Sequence, residues 1–121
     1  MKKIYLVDDS ATILISMKSI LKSNGYDVET AKDGDEALAK LKTGYKPDLM
    51  ITDINMPKMN GIELLQAAKQ LSHMRFTPVL VLTTETQQDR KAQARSAGAA
   101  GWLSKPVQQE QLIQVLKKLV P

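Results

Sequence analysis

Ile4-Tyr5-Leu6-Val7-Asp8-Asp9, Leu49-Met50-Ile51-Thr52-Asp53, Val79-Leu80-Val81-Leu82-Thr83 and Gly101-Trp102-Leu103-Ser104-Lys105 share one design: a short apolar run ends in a reactive polar residue. Runs of this length, apolar on both faces, suit parallel strands buried in the middle of a sheet. If they lie in one sheet, their carboxyl ends share one edge, the place where ligands bind in open α/β sheets. Asp8, Asp9, Asp53, Thr83 and Lys105 then converge although they are far apart in sequence. Three carboxylates, a hydroxyl and an ammonium in one crevice suggest phosphate chemistry.

Helical patterns fill the intervals. Ser10 is placed to cap a helix carrying Ile13, Leu14, Met17, Ile20 and Leu21 on one stripe, which Gly25 ends. A short strand follows near Asp27 to Thr30. Asp33 with Glu36 resembles a capping box before Ala37, Leu38 and Leu41, and Asn60 with Glu63 offers a second before Ile62, Leu64, Leu65, Ala68 and Leu71. The stretch from Gln87 to Ala97 presents only alanines to a core, so a loosely anchored helix is expected there. Leu112, Val115, Leu116 and Leu119 mark the last helix.

Five β-α units with short connections imply right-handed crossovers and a doubly wound five-stranded parallel sheet with five helices. The expected strand order is the flavodoxin-like 2-1-3-4-5, which sets Asp8, Asp9 and Asp53 at the switch point between the first and third strands. The 121 residues are expected to form a single domain, 1–121, with no linker or second unit.

Composition narrows the function. The chain is 43% hydrophobic and 25% charged, and no apolar run approaches the roughly 18 residues that span a bilayer. Neither a signal peptide nor a membrane segment is expected, and the location implied is cytoplasmic. With no cysteine, disulfides and thiolate chemistry are excluded. The net charge of +4 comes from Lys and Arg scattered along the chain, a pattern that argues against a nucleic-acid partner. Acidic residues clustered in a basic protein point instead to a cation. Two carboxylates about 5 Å apart repel by roughly 3 kcal/mol at an effective dielectric near 20. A hard divalent ion relieves that repulsion, and Mg²⁺ suits one or two carboxylates plus a phosphoryl oxygen.

Asp8-Asp9, the run Asp53-Ile54-Asn55-Met56-Pro57-Lys58-Met59-Asn60-Gly61, Thr83 and Lys105-Pro106 together resemble the receiver domain of two-component response regulators, over essentially the whole chain. Any one of these motifs is weak, since Asp8 could be a turn residue, Thr83 a strand terminus and Lys105 a solvated charge. The set, in this order and spacing, is specific. The resemblance implies a CheY-like fold and names Asp53 as phospho-acceptor from a kinase histidine. It gives Mg²⁺ to Asp9, Asp53 and the Asn55 backbone carbonyl, with Asp8 acting through a water. Lys105 would pair with the phosphoryl oxygens, Thr83 would move to hydrogen-bond one of them, and the Lys105-Pro106 bond would be cis.

By the same resemblance Asn55 and Glu85 would tune the lifetime of the acyl phosphate, and rapid autodephosphorylation is expected. Trp102 would take the aromatic switch position, where receivers more often carry Tyr or Phe. The partners implied are a CheA-like histidine kinase, a FliM-like flagellar motor switch protein docking on the surface of the fourth helix, fifth strand and fifth helix, and a phosphatase. The protein is expected to be a monomer, and a signalling protein rather than an enzyme. The alternative within the family is a stand-alone receiver serving as a phosphate sink or in a non-flagellar pathway.

Rival classes fare worse. A Mg²⁺-dependent phosphatase of the haloacid-dehalogenase type uses a strand-end Asp nucleophile but needs a second Asp two residues later, where this chain has Asn55. A flavodoxin-like FMN carrier needs a phosphate cradle after the first strand, where Asp8-Asp9 would repel the phosphate. Asn60-Gly61 reads as a turn before a helix, and His73 as an exposed loop residue.

Overall fold

The computed structural model describes residues 1–84 and 88–121. Five strands, β1 (Lys3–Val7), β2 (Asp27–Ala31), β3 (Leu49–Asp53), β4 (Val79–Thr83) and β5 (Gly101–Ser104), alternate with five helices. These are α1 (Ala11–Ser23), α2 (Gly34–Lys42), α3 (Gly61–Lys69), α4 (Gln88–Ser96) and α5 (Gln109–Leu119). All strand pairs are parallel and the order is β2-β1-β3-β4-β5, the doubly wound arrangement expected from the sequence. Among the described residues, no helix is long and apolar enough to cross a membrane.

Strand alternation splits the continuous apolar runs into two cores. Ile4, Leu6, Leu49, Ile51, Leu80, Leu82 and Leu103 face α1 and α5, where Met17, Leu21, Leu112 and Leu116 cover them. Tyr5, Val7, Met50 and Val79 face the other way, onto Ala37 and Leu41 of α2 and Leu64, Leu65 and Ala68 of α3. Because both faces of the sheet are covered, the strands cannot slip in register without exposing apolar side chains, and their carboxyl ends are held as a rigid row.

Local signals set the helix ends. Ser10 accepts from the Ile13 backbone N–H, and Gly25 follows α1 with a φ of +88°, a conformation that suits a residue without a Cβ. Asn60 and Glu63 form the complete capping box before α3. At α2 the box is incomplete: Asp33 accepts from the Glu36 N–H at 2.7 Å, but the Glu36 carboxylate accepts from the Lys32 N–H at 3.0 Å instead of reaching Asp33. α3 stops at Lys69, before the expected Leu71, which precedes a one-turn 3₁₀ helix at Ser72–Met74. That turn corrects the reading of His73: the ring is half-buried, and its Nε2 is enclosed without a hydrogen-bond partner among the described residues.

α4 behaves as its alanines suggest. Of its described residues only Ala94 is buried, joining Ile54, Ile62 and Val81 in a small third cluster beside the two main cores. With so little apolar area removed from water, α4 is the helix that opens at the lowest free energy. Hydrogen exchange read by mass spectrometry is expected to show α4 amides at least about tenfold less protected than those in the buried turns of α1 and α3. Equal protection in all five helices would contradict this account of its anchoring.

Candidate functional site

The residues that end β1, β3 and β5 meet at the carboxyl edge of the sheet. Asp8 follows β1 and is fully buried; its backbone N–H donates to the Ala31 carbonyl, and its Oδ1 accepts from the Ser10 N–H at 2.9 Å. Asp53 is the last residue of β3 and is 4% exposed. Asp9 stands at the mouth, exposed to solvent. Each of the three offers a carboxylate oxygen within 4.8 Å of the others. The sheet has therefore brought together the acidic set expected from the strand ends.

Lys105 enters this set from the residue after β5. Its Nζ lies 3.0 Å from Asp53 Oδ1 and 3.5 Å from Asp8 Oδ2. The longer distance is an ion-pair contact without hydrogen-bond geometry, so Asp8 Oδ2 remains buried with no hydrogen-bond partner among the described residues. The Lys105 backbone N–H donates to the Thr83 carbonyl at 2.7 Å, tying the β5 end to the β4 end, and the Lys105-Pro106 bond is cis. Thr83 is buried and its Oγ1 also lacks a partner among the described residues.

Charge balance is the dominant feature of the site. Burial pushes the Asp53 carboxyl above its ordinary range; the hydrogen bond and charge of Lys105 pull it down, and the charges of Asp8 and Asp9 push it up again. For Lys105, burial disfavours the ammonium, but its hydrogen bond to Asp53 and the charges of Asp53 and Asp8 outweigh this and raise its pKa. One ammonium cannot neutralise three carboxylates. Full charges 4.8 Å apart repel by about 3 kcal/mol per pair at an effective dielectric near 20. Asp8 Oδ2, without a hydrogen-bond partner among the described residues, and two more carboxylate oxygens form an all-oxygen donor set that fits a hard divalent cation such as Mg²⁺.

The turn after β3 brings the start of α3 against the site. Asn55 is exposed there, and the chain folds back so that both Met56 and Gly61 donate their N–H groups to the Ile54 carbonyl. Lys58 takes a φ of +67°, and the Met59 N–H donates to the Pro57 carbonyl at 2.8 Å, closing a three-residue turn. This return seats Gly61 against Asp53: a Cβ at Gly61 would lie 2.2 Å from the Asp53 carbonyl oxygen. Gly61, read from sequence as an ordinary turn residue, therefore has a second duty. It lets α3 begin directly against the backbone of the buried carboxylate. Asn-Gly signals a turn in any protein, and nothing in its spacing reveals this approach.

Trp102 lies on β5 and is half-buried, packed against the cluster of Ile54, Ile62, Val81 and Ala94 under α4. Thr83 pairs with Ser104 and Val81 with Trp102, so Thr83 and Trp102 share the α4 side of the sheet, one strand apart and offset by two residues. Glu85, the other residue expected to tune phosphoryl lifetime, falls outside the described residues.

Comparison with known proteins agrees with this architecture. The family model for the response regulator receiver domain matches residues 4–117. Among similar proteins, PilG of Pseudomonas aeruginosa is 36% identical over 98% of this chain and 87% of its own length. The chemotaxis protein CheY of the same organism is 36% identical over 97% of this chain and 94% of its own. The solved structure of chemotaxis response regulator CheY4 of Vibrio cholerae superposes with a TM-score of 0.92, at 43% identity and covering 99% of both chains. Three kinds of transcriptional regulator also match, and the chain spans only 42%, 51% and 57% of their lengths.

Two stability changes follow from the site. The Asp53 pKa is raised on folding, so the unfolded chain loses this proton at a lower pH than the folded one. Metal-free stability should therefore fall as pH rises from the ordinary carboxylate range through the folded-state pKa. Asp53→Asn removes that component and is expected to raise stability at neutral pH by roughly 0.5–2 kcal/mol, read from urea unfolding without metal. Gly61→Ala is expected to cost about 1–3 kcal/mol in the same assay, because backbone has to move to admit the methyl group.

Proposed function

The chain belongs to the response regulator receiver family, and on that premise we propose that it is a phospho-accepting switch of the chemotaxis type, with Asp53 as the acceptor. The observation that carries this reading is the buried Asp53 carboxylate held 3.0 Å from Lys105 and within 4.8 Å of the Asp8 and Asp9 oxygens. Nothing in a structural role calls for three carboxylates at one sheet edge.

In the proposed reaction an Asp53 carboxylate oxygen attacks the phosphorus of a phosphohistidine on a CheA-like kinase. The new P–O bond forms as the P–N bond breaks, and the imidazole leaves with its bonding pair, neutral once it keeps the proton on its other nitrogen. Asp53 has to be ionised to attack, and Lys105 favours that form against the effect of burial. Lys105 also provides the ammonium that meets the phosphoryl oxygens as charge spreads over them. Asp9 and Asp53, with the Asn55 backbone carbonyl, would hold Mg²⁺, and Asp8 would act through a water. Bound there, the ion supplies the positive charge that one lysine cannot. The chain is thus a stoichiometric acceptor that promotes only its own phosphorylation and dephosphorylation, not an enzyme acting on other substrates.

The Thr83 hydroxyl, buried and without a hydrogen-bond partner among the described residues, is suited to the role of sensor: once a phosphoryl oxygen is within reach it has a hydrogen-bond acceptor to satisfy it. Its movement is read on the face made by α4, β5 and α5. The CheY and CheY4 likenesses support a chemotaxis pathway in the cytoplasm, with a FliM-like motor protein as the effector. A phosphate sink is the second reading within the same family. Asn55, exposed beside Asp53, supports a short-lived acyl phosphate that water can reach.

Acetyl phosphate with Mg²⁺ is expected to add one phosphoryl group by intact mass, localised to Asp53, and Asp53→Asn should take up none. Lys105→Ala should slow the uptake by at least about tenfold, the loss typical of removing a charge-stabilising group. Thr83→Ala should be phosphorylated normally yet lose phosphorylation-dependent capture by a motor switch protein. The phosphoryl group should decay in minutes; persistence for hours would contradict the lifetime assignment. Mg²⁺ alone should raise the unfolding free energy by about 2.7 kcal/mol at a hundredfold excess over its Kd, and Asp9→Asn should reduce this gain.

A further inference from the structure

The indole of Trp102 carries two cations from α4. The guanidinium carbon of Arg95 lies 4.8 Å from the ring centroid and the Lys91 Nζ lies 6.0 Å from it. We propose that Arg95, backed by Lys91, is a positioning residue that latches Trp102 to α4 and sets the threshold of the switch. The inference rests on the phospho-acceptor reading of Asp53 and extends it from the site to the output face.

Three observations carry it. First, Lys91 and Arg95 are four residues apart on one helix, an arrangement of like charges that is unfavourable unless something shared offsets it. Among the described residues neither has a carboxylate partner, and the indole face is what draws both. Second, α4 buries only Ala94, against Ile54, Ile62 and Val81, so a contact from its outer residues to Trp102 of β5 adds to a small anchorage. Third, Trp102 stands on the same side of the sheet as Thr83, beside Val81.

These placements couple the latch to the site. With the Thr83 hydroxyl lacking a partner among the described residues, the indole lies under Arg95. When Thr83 is drawn to a phosphoryl oxygen, space opens beside Val81, and the indole can enter it only by leaving the guanidinium. The latch therefore opposes activation. A phenol or phenyl ring at this position has a smaller π-face for a cation, so Trp at 102 together with Arg at 95 gives this receiver a higher threshold. Releasing the ring also returns two unshared cations to the face on which a partner docks.

Beryllofluoride, a mimic of the phosphoryl group, tests this without a partner. Binding to the full chain with Mg²⁺ is followed by the ¹⁹F NMR signal of the bound species, which needs no tryptophan. A lower population of the competent state raises the apparent Kd in proportion, so Arg95→Gln is expected to lower the half-saturating concentration about 5-fold. Arg95→Lys should stay near the wild-type value, and Lys91→Gln should shift it less than Arg95→Gln, in line with its longer distance. Arg95→Gln placed on Trp102→Leu should add nothing, since the ring that the cation holds is gone. Circular dichroism confirms that each variant is folded.

Titrations of Arg95→Gln and wild type that agree within twofold would overturn the latch, as would full additivity with Trp102→Leu. If wild type itself binds no beryllofluoride and matches Asp53→Asn, the acceptor reading has failed and the latch fails with it. A latch failure leaves wild-type binding intact, so the two results are distinct.

Discussion

Negative charge held at one edge of a rigid sheet is the constraint on which this molecule turns. Asp8 and Asp53 are buried, Asp9 stands beside them, and the single ammonium of Lys105 is shared between the two buried groups. Relaxation would separate these charges, and the structure prevents it. Asp8 and Asp53 are fixed at the ends of strands whose two faces are covered, so separating these two would mean moving the sheet. Added positive charge would relieve the repulsion, and the all-oxygen set of Asp8, Asp9 and Asp53 fits a hard cation.

Rigidity and looseness are divided across the sheet. α1, α2, α3 and α5 each bury two or more residues against the strands, whereas α4 buries Ala94 alone. The side that must hold the carboxylates is well packed, and the side next to Thr83 and Trp102 is not. A change of one hydrogen bond at Thr83 is small beside the energy of the main cores. It is comparable with what anchors α4. The cation–π contacts from Arg95 and Lys91 to Trp102 join α4 to β5 on this side.

Much of the molecule was legible in the chain. Strand order, the convergence of Asp8, Asp9, Asp53, Thr83 and Lys105, and the Ser10 and Asn60 caps could be read because each depends on local pattern or on a topological rule. Other features could not. The polar neighbours of His73 predict exposure, yet a 3₁₀ turn folds its ring partly inward. Glu36 reaches Lys32 instead of Asp33, because several backbone N–H groups lie within range of one long side chain and geometry selects among them.

By itself the sequence determined which residues end which strands, because hydrophobic periodicity is a local signal, and therefore which side chains share the carboxyl edge of a parallel sheet. Distances and partners were decided only by the tertiary structure. That Lys105 approaches Asp53 more closely than Asp8, that Gly61 lies against the Asp53 carbonyl, and that Arg95 covers Trp102 all depend on contacts between elements distant in the chain. Such contacts are set by how whole faces pack, and no local pattern of residues encodes them.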